Sequence, residues 1–195
     1  MKKIVYLHGF LSSPKSVKAQ QTVAYCQQYY PDSIEIVAPQ LANTPEQVAI
    51  QLAKILREQD IIGFIGSSLG GYLASYCAAK TALPAVLINP AAYPYQLLSD
   101  YLGEHQHPYT NEKFVIDEQF NAALRQFDVT TQELQALKIS VWLQTEDETL
   151  NYKEAEEKYK HNELNIQAGG SHAFDNYLEC LPTMLQYLFN HQFVK

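Results

Sequence analysis

The sequence predicts an α/β fold: a largely parallel sheet of about six strands, covered by helices on both faces and carrying a small helical insertion. Three observations lead there. Short apolar runs alternate with helical stretches through most of the 195 residues, the pattern of parallel strands joined by crossover helices. One apolar run, residues 61–65, leads into Gly66-Ser67-Ser68-Leu69-Gly70 and then into a stretch of small and apolar residues to Ala79, which reads as strand, sharp turn and packed helix. The alternation lapses only over residues 93–137, which are polar, tyrosine-containing and weakly periodic. That region reads as an insertion of short helices over the sheet edge that carries the site, since long structureless loops are uncommon.

The elements follow in order. Residues 3–7 form a first strand, and His8 to Pro14 a loop. Ser13-Pro14 reads as helix N-cap and first helical residue, with the helix running to about Tyr30. Residues 33–38 are the second strand. Thr44 and Gln47 are spaced as a capping box for a helix to about Gln59, with Val48, Leu52, Ile55 and Leu56 on one face. After the strand and helix around Ser68, residues 85–88 give a fourth strand and Asn89 to Ala92 a loop. Residues 139–144, ISVWLQ, form a fifth strand, followed by the acidic turn Thr145-Glu146-Asp147-Glu148 and a charged helix over 151–160. Residues 164–167 are the last strand. A closing helix is expected over 173–191, with Phe174, Tyr177, Leu178, Leu181, Leu185 and Leu188 as its buried stripe and Pro182 kinking it or starting a second helix.

The totals narrow the function. A chain of 195 residues, 47% hydrophobic and 18% charged, suits one globular domain spanning 1–195 rather than a disordered segment. A net charge of −7 and the lack of a basic stripe argue against a nucleic-acid partner. Cys26, Cys77 and Cys180 are odd in number and far apart, which argues against a disulfide framework and a clustered metal motif. His105 and His107 could ligate a metal but lack an evident third ligand, so both are read as solvent-exposed and no metal or cofactor is expected. The apolar run at residues 4–7 is too short for a secretory signal, and no run of about 18 apolar residues exists. A cytoplasmic protein without a membrane partner is the expectation. Oligomeric state is not readable.

The G-x-S-x-G turn carries the chemistry. It holds Ser68 at a helix N-terminus in a strained conformation, with Gly66 and Gly70 where side chains would collide. A serine hydroxyl needs a base and donors for the oxyanion it creates. His172 follows the last strand on a loop opened by two glycines, so a parallel sheet brings it to the same edge as Ser68. A histidine, with an ordinary pKa of about 6.5, can accept and return a proton near neutrality. A carboxylate must fix its tautomer. Asp147 is the choice within the acidic turn, ahead of Glu146 and Glu148, with Asp128 and Asp175 as alternatives. The oxyanion donors are expected from Leu69 N–H and, in the loop after the first strand, Phe10 N–H, with Leu11 second. His8 precedes the glycine of that loop and is read as ordering it by hydrogen bonding.

The motifs YLHGFLSSP, IGSSLGGYLA, NPA and GGSHAF together resemble the α/β-hydrolase superfamily and, within it, the YqiA-type bacterial esterases. The resemblance covers nearly the whole chain. It implies a compact α/β-hydrolase fold with the sheet trimmed at one edge. It implies a cytoplasmic serine esterase for short to medium acyl chains, with Ser68, Asp147 and His172 as triad. The turn reads TEDE, without the glycine expected before the aspartate. The resulting expectation is hydrolysis of a small-molecule ester. Rival readings are a thioesterase or C–C bond hydrolase on the same residues, and a non-catalytic interaction protein on this scaffold.

Overall fold

The computed structural model describes residues 1–191. In chain order the elements are β1 (Lys2–Leu7), α1 (Val17–Tyr29), β2 (Ile34–Val37), α2 (Pro45–Ile55), β3 (Ile61–Ser67), α3 (Leu69–Thr81) and β4 (Ala85–Ile88). There follow α4 (Pro94–Leu97), β5 (Gly103–Gln106), β6 (Lys113–Ile116), α5 (Glu118–Leu124) and α6 (Thr131–Leu134). The chain then returns through β7 (Ile139–Gln144), α7 (Tyr152–Lys158), β8 (Glu163–Gln167) and α8 (Tyr177–Asn190). Six strands form one parallel sheet in the order β2-β1-β3-β4-β7-β8.

Both faces of the four central strands are buried, as a parallel sheet requires, while the edge strands β2 and β8 are partly exposed. Ile4 and Tyr6 of β1, Ile62 and Ile65 of β3 and Val86 and Ile88 of β4 pack with Ala19 and Cys26 of α1 and with Tyr177, Leu181, Leu185 and Leu188 of α8. Their neighbours Val5, Leu7, Phe64 and Leu87 face the other way, against α2, α3 and the inserted segment. Strand order reverses at β1, because β2 lies on one side of it and β3 on the other. Such a switch point opens a crevice beyond the strand C-termini. The loop after β1 and the turn after β3 both lie there.

Several local expectations are corrected. Ser13 does not cap α1. Its hydroxyl accepts Lys15 N–H at 3.1 Å and its carbonyl accepts Ser16 N–H at 3.0 Å, so a turn comes first and the helix starts at Val17. Thr44 holds the N-cap position of α2, but its hydroxyl makes no capping bond. The box is not formed: the helix starts instead on Pro45, whose φ suits the first turn, and on the Thr44 carbonyl, which accepts Val48 N–H at 2.9 Å. This helix ends at Ile55, not Gln59, as Arg57 and Glu58 bond back three residues to Lys54 and Ile55. The closing helix begins at Tyr177, because Phe174 (φ 65°) and Asn176 (φ 57°) have left-handed backbone. Phe174 is buried from the loop, whereas Leu178 is 46% exposed, and α8 runs through Pro182 as a single helix.

The insertion holds short helices and also an unexpected antiparallel hairpin, β5 against β6. Its first strand, GEHQ, has no apolar alternation to announce it, while KFVI buries only Phe114 and Ile116. The insertion shares a core with the sheet through Tyr95, Leu98, Phe114, Phe120 and Phe127.

Candidate active site

Ser68 sits between β3 and α3 with φ 56° and ψ −122°, a conformation that costs a non-glycine residue about 1–3 kcal/mol. Neighbouring backbone holds it there. Ser68 N–H donates to the Ile88 carbonyl at 3.1 Å, and the Ser68 carbonyl accepts Gly71 N–H at 2.9 Å and Ala91 N–H at 3.1 Å. The flanking glycines are steric necessities. A Cβ on Gly66 would stand 2.1 Å from the Gly70 carbonyl oxygen, and one on Gly70 would stand 1.9 Å from that of Leu7. The second clash is with the end of β1, so Gly70 lets α3 close over the first strand as well as its own. Backbone cannot move aside as a flexible side chain can. Gly70→Ala is therefore expected to destabilise the fold by about 3 kcal/mol or more. The melting temperature measured by calorimetry should fall by roughly 6–12 °C.

The loop after β1 approaches the same turn, since a Cβ on Gly9 would lie 3.3 Å from that of Ser68. His8 orders this loop. It is 3% exposed; its Nε2 accepts Leu41 N–H at 3.0 Å, which leaves the proton on Nδ1 to donate to the Gly9 carbonyl at 2.9 Å. Burial pushes the imidazole below its ordinary value; the Gly9 bond works against this and nearby His107 adds to it. The unfolded chain, with a histidine pKa of about 6.5, thus binds the proton at higher pH than the folded one. This contribution to stability is complete above about pH 6.5 and is lost as pH falls toward the folded value. Thermal melts between pH 5 and 8 should show the loss, and His8→Asn should flatten that pH dependence.

Phe10 N–H and Leu69 N–H have no acceptor among the described residues, and both residues line the cavity that contains Ser68. Leu11 N–H is equally unpaired. The first-turn amide of α3 adds the positive end of the helix dipole beside the hydroxyl.

His172 lies on the loop between β8 and α8, and its Nδ1 meets both oxygens of Asp147, at 2.8 Å to Oδ2 and 3.0 Å to Oδ1. The Asp147 side chain is 2% exposed and the His172 side chain 26%. Asp147 Oδ1 also accepts the amides of Thr149 at 2.9 Å and Leu150 at 2.8 Å, which locks the carboxylate in place. Among the described residues no other carboxylate bonds the His172 ring. Asp128 pairs with Lys158 and accepts Tyr95 O–H, and Asp175 accepts Ser171 O–H. Glu148 accepts His172 backbone N–H at 2.9 Å, and that bond holds its carboxyl below the usual range. His172 and Ser68 border the same cavity without a direct hydrogen bond. Such contacts commonly tighten only when substrate is bound.

A family model matches residues 3–189, almost the entire described chain. The chain belongs to the uncharacterised protein family UPF0227. Its structure is similar to Est1E from Butyrivibrio proteoclasticus, solved with ferulic acid bound, at a TM-score of 0.73 and 13% identity over 98% of this chain and 89% of that one. It is also similar to mouse alpha/beta hydrolase domain-containing protein 10, at a TM-score of 0.70 and 15% identity over 96% and 89%. The esterase domain of a Rhodothermus marinus protein gives 0.70 and 14% over 97% and 87%. These likenesses establish the α/β-hydrolase fold, in agreement with the resemblance carried by the motifs.

In this UPF0227 chain two side chains outside the expected set hold the His172 loop. Asn89 Nδ2 donates to the Ser171 carbonyl at 2.9 Å, while its Oδ1 accepts Gln144 N–H at 3.0 Å. Gln144 Oε1 accepts the amides of Ser171 at 3.0 Å and Asp175 at 2.8 Å. Both are nearly fully buried at strand ends, so they brace a loop that has no ladder of its own. Asn89 lies in the NPA motif, which marked it; Gln144 reads as an ordinary end of ISVWLQ and carries no signal.

Elsewhere His107, unlike the half-exposed His105, corrects the exposed reading. His107 is 2% exposed, and its Nδ1 accepts the Tyr109 and Thr110 amides, closing the turn of the β5–β6 hairpin. Among the described residues no group of three or more His, Cys, Asp or Glu could hold a metal. No described helix is long and apolar enough to cross a membrane. The cavity beside Ser68 has a volume of about 500 Å³, and Phe10, Leu11, Leu97, Leu98 and Tyr101 form its apolar side. The insertion thus supplies part of the wall.

Proposed function

We propose that this chain is a serine esterase that hydrolyses small carboxylic esters with short to medium acyl chains through an acyl-enzyme. The observation that supports it most is the doubly bonded, buried Asp147 behind His172, on a ring that borders the cavity holding the Ser68 turn. In this reading Ser68 Oγ attacks the ester carbonyl while His172 Nε2 takes its proton. Asp147 keeps the other ring proton on Nδ1 and stabilises the imidazolium. The amides of Leu69 and Phe10 receive the oxyanion. The imidazolium then protonates the departing alcohol, and water, deprotonated by the same ring, releases the acid and restores the serine. A cavity of about 500 Å³ with one apolar wall suits an acyl chain of this size. The free thiols of Cys26, Cys77 and Cys180 favour the cytoplasm as compartment.

Aryl esters of two to eight acyl carbons, compared by kcat/KM with the matching acyl thioesters, test the reaction class. Esters should be preferred, with an optimum at or below eight carbons. A thioester preference of ten-fold or more would reassign the chain to thioesterase chemistry.

A further inference from the structure

Besides its apolar side, the cavity is lined by a second set of residues of different chemistry, a polar wall. That wall is formed by Tyr6 of β1, by Ser16 and Lys18 at the start of α1, by Ala173 next to His172, and by Glu148, which accepts His172 N–H. The 13-residue helix α1 opens onto it with no acidic residue in its first turn. Its first amides have no partner within the helix, so they carry partial positive charge. Ser16 holds the N-cap position, yet its buried hydroxyl makes no bond to the helix or to any other described group. Tyr6 is 1% exposed, and its hydroxyl also lacks a partner.

Lys18 adds a full charge. Its ammonium donates to the Ala173 carbonyl at 2.8 Å, and among the described residues no carboxylate lies within ion-pair distance. Burial pushes it below its ordinary value, and the charge of Asp147 works against that. Unmatched hydroxyl groups, an uncapped helix start and a cation with donors to spare are what a bound oxyanion satisfies.

We infer that this wall is a subsite for a carboxylate carried by the substrate, so that the ester pairs an anionic portion with an apolar one. A carboxylate fits better than a phosphate dianion, because the wall offers a single cation and Glu148 also borders the cavity. The inference rests on the ester hydrolysis proposed above.

Two matched pairs test it. Monophenyl glutarate against phenyl pentanoate places the carboxylate on the acyl side. Carboxymethyl pentanoate against propyl pentanoate places it on the alcohol side. In one pair the charged member should exceed its neutral partner at least ten-fold in kcat/KM. Lys18→Met should reduce that charged-to-neutral ratio at least ten-fold, and Tyr6→Phe several-fold. Preference for the neutral member in both pairs overturns the subsite. So does an equal loss on both members in Lys18→Met, which is what a purely structural latch on Ala173 would give. Calorimetric binding of the four esters to Ser68→Ala reads the same discrimination whether or not any ester is cleaved. Binding that discriminates without turnover would keep the subsite and reject the esterase reading. Turnover of neutral esters without discrimination would do the reverse.

Discussion

Ser68→Ala is expected to lower kcat for ester hydrolysis by about 10⁶-fold, with the residual rate coming from the oxyanion donors and substrate binding. The loss should be in kcat rather than KM, because the hydroxyl acts in the chemical step. The same position makes a second, opposite forecast for stability. Ser68 holds φ 56° and ψ −122°, which alanine tolerates no better than serine, so the melting temperature of Ser68→Ala should stay close to that of the native protein. Glycine adopts positive φ freely. Ser68→Gly should be as inactive as the alanine variant but more stable by about 1–2 kcal/mol, which is roughly 2–8 °C in melting temperature. A gain in stability that accompanies loss of the reacting group is the mark of strain held for function. If both variants kept most activity, Ser68 would not be the nucleophile.

Asp147→Asn is expected to lower kcat by about 10⁴-fold while leaving the fold intact. The reason lies in the surroundings of the carboxylate. Oδ1 accepts the Thr149 and Leu150 amides, so an asparagine must place its carbonyl oxygen there and turn its NH₂ toward the position of Oδ2. That position is 2.8 Å from His172 Nδ1. An NH₂ group there donates to Nδ1 and drives the ring proton to Nε2, the nitrogen that must take the serine proton. The ring is then present, correctly oriented and in the wrong tautomer. Asp147→Ala should lose activity as well, but with a less ordered ring. Glu148→Gln should cost far less, because the glutamine oxygen can still accept His172 N–H. A Glu148→Gln loss as deep as that of Asp147→Asn would move the triad acid to Glu148. Native-like kcat in Asp147→Asn would remove the carboxylate from the mechanism.

How much the sequence disclosed follows from the range of the forces involved. The strand–turn–helix around Ser68 is local, because its glycines, apolar run and small-residue helix are contiguous, and the structure reproduces it closely. The parallel character of the sheet follows from the alternation of elements, whereas the strand order, with β2 outside β1, does not. The placement of His172 beside Asp147 was reachable because both follow strand C-termini, and a parallel sheet gathers those ends. The GEHQ strand was hidden because an exposed hairpin strand carries no alternation. Ser13 and Thr44 misled because the same hydroxyl that caps a helix also serves a turn or bonds to nothing, and neighbours decide which. The burial of His107 depends on a tight turn between two strands that were themselves unread. Gln144 was invisible because its function lies in contacts with residues 171 and 175, some thirty positions away. The orphaned hydroxyl groups of Tyr6 and Ser16 likewise exist only once distant segments enclose them.

Covalent labelling tests the central claim most directly. The protein would be treated with a fluorophosphonate, and the adduct located by intact mass and peptide mapping. The account predicts one adduct, on the peptide carrying Ser68, absent in Ser68→Ala and formed much more slowly in His172→Ala. No adduct on the native protein, or an adduct that persists in Ser68→Ala at another residue such as Ser67, would contradict it.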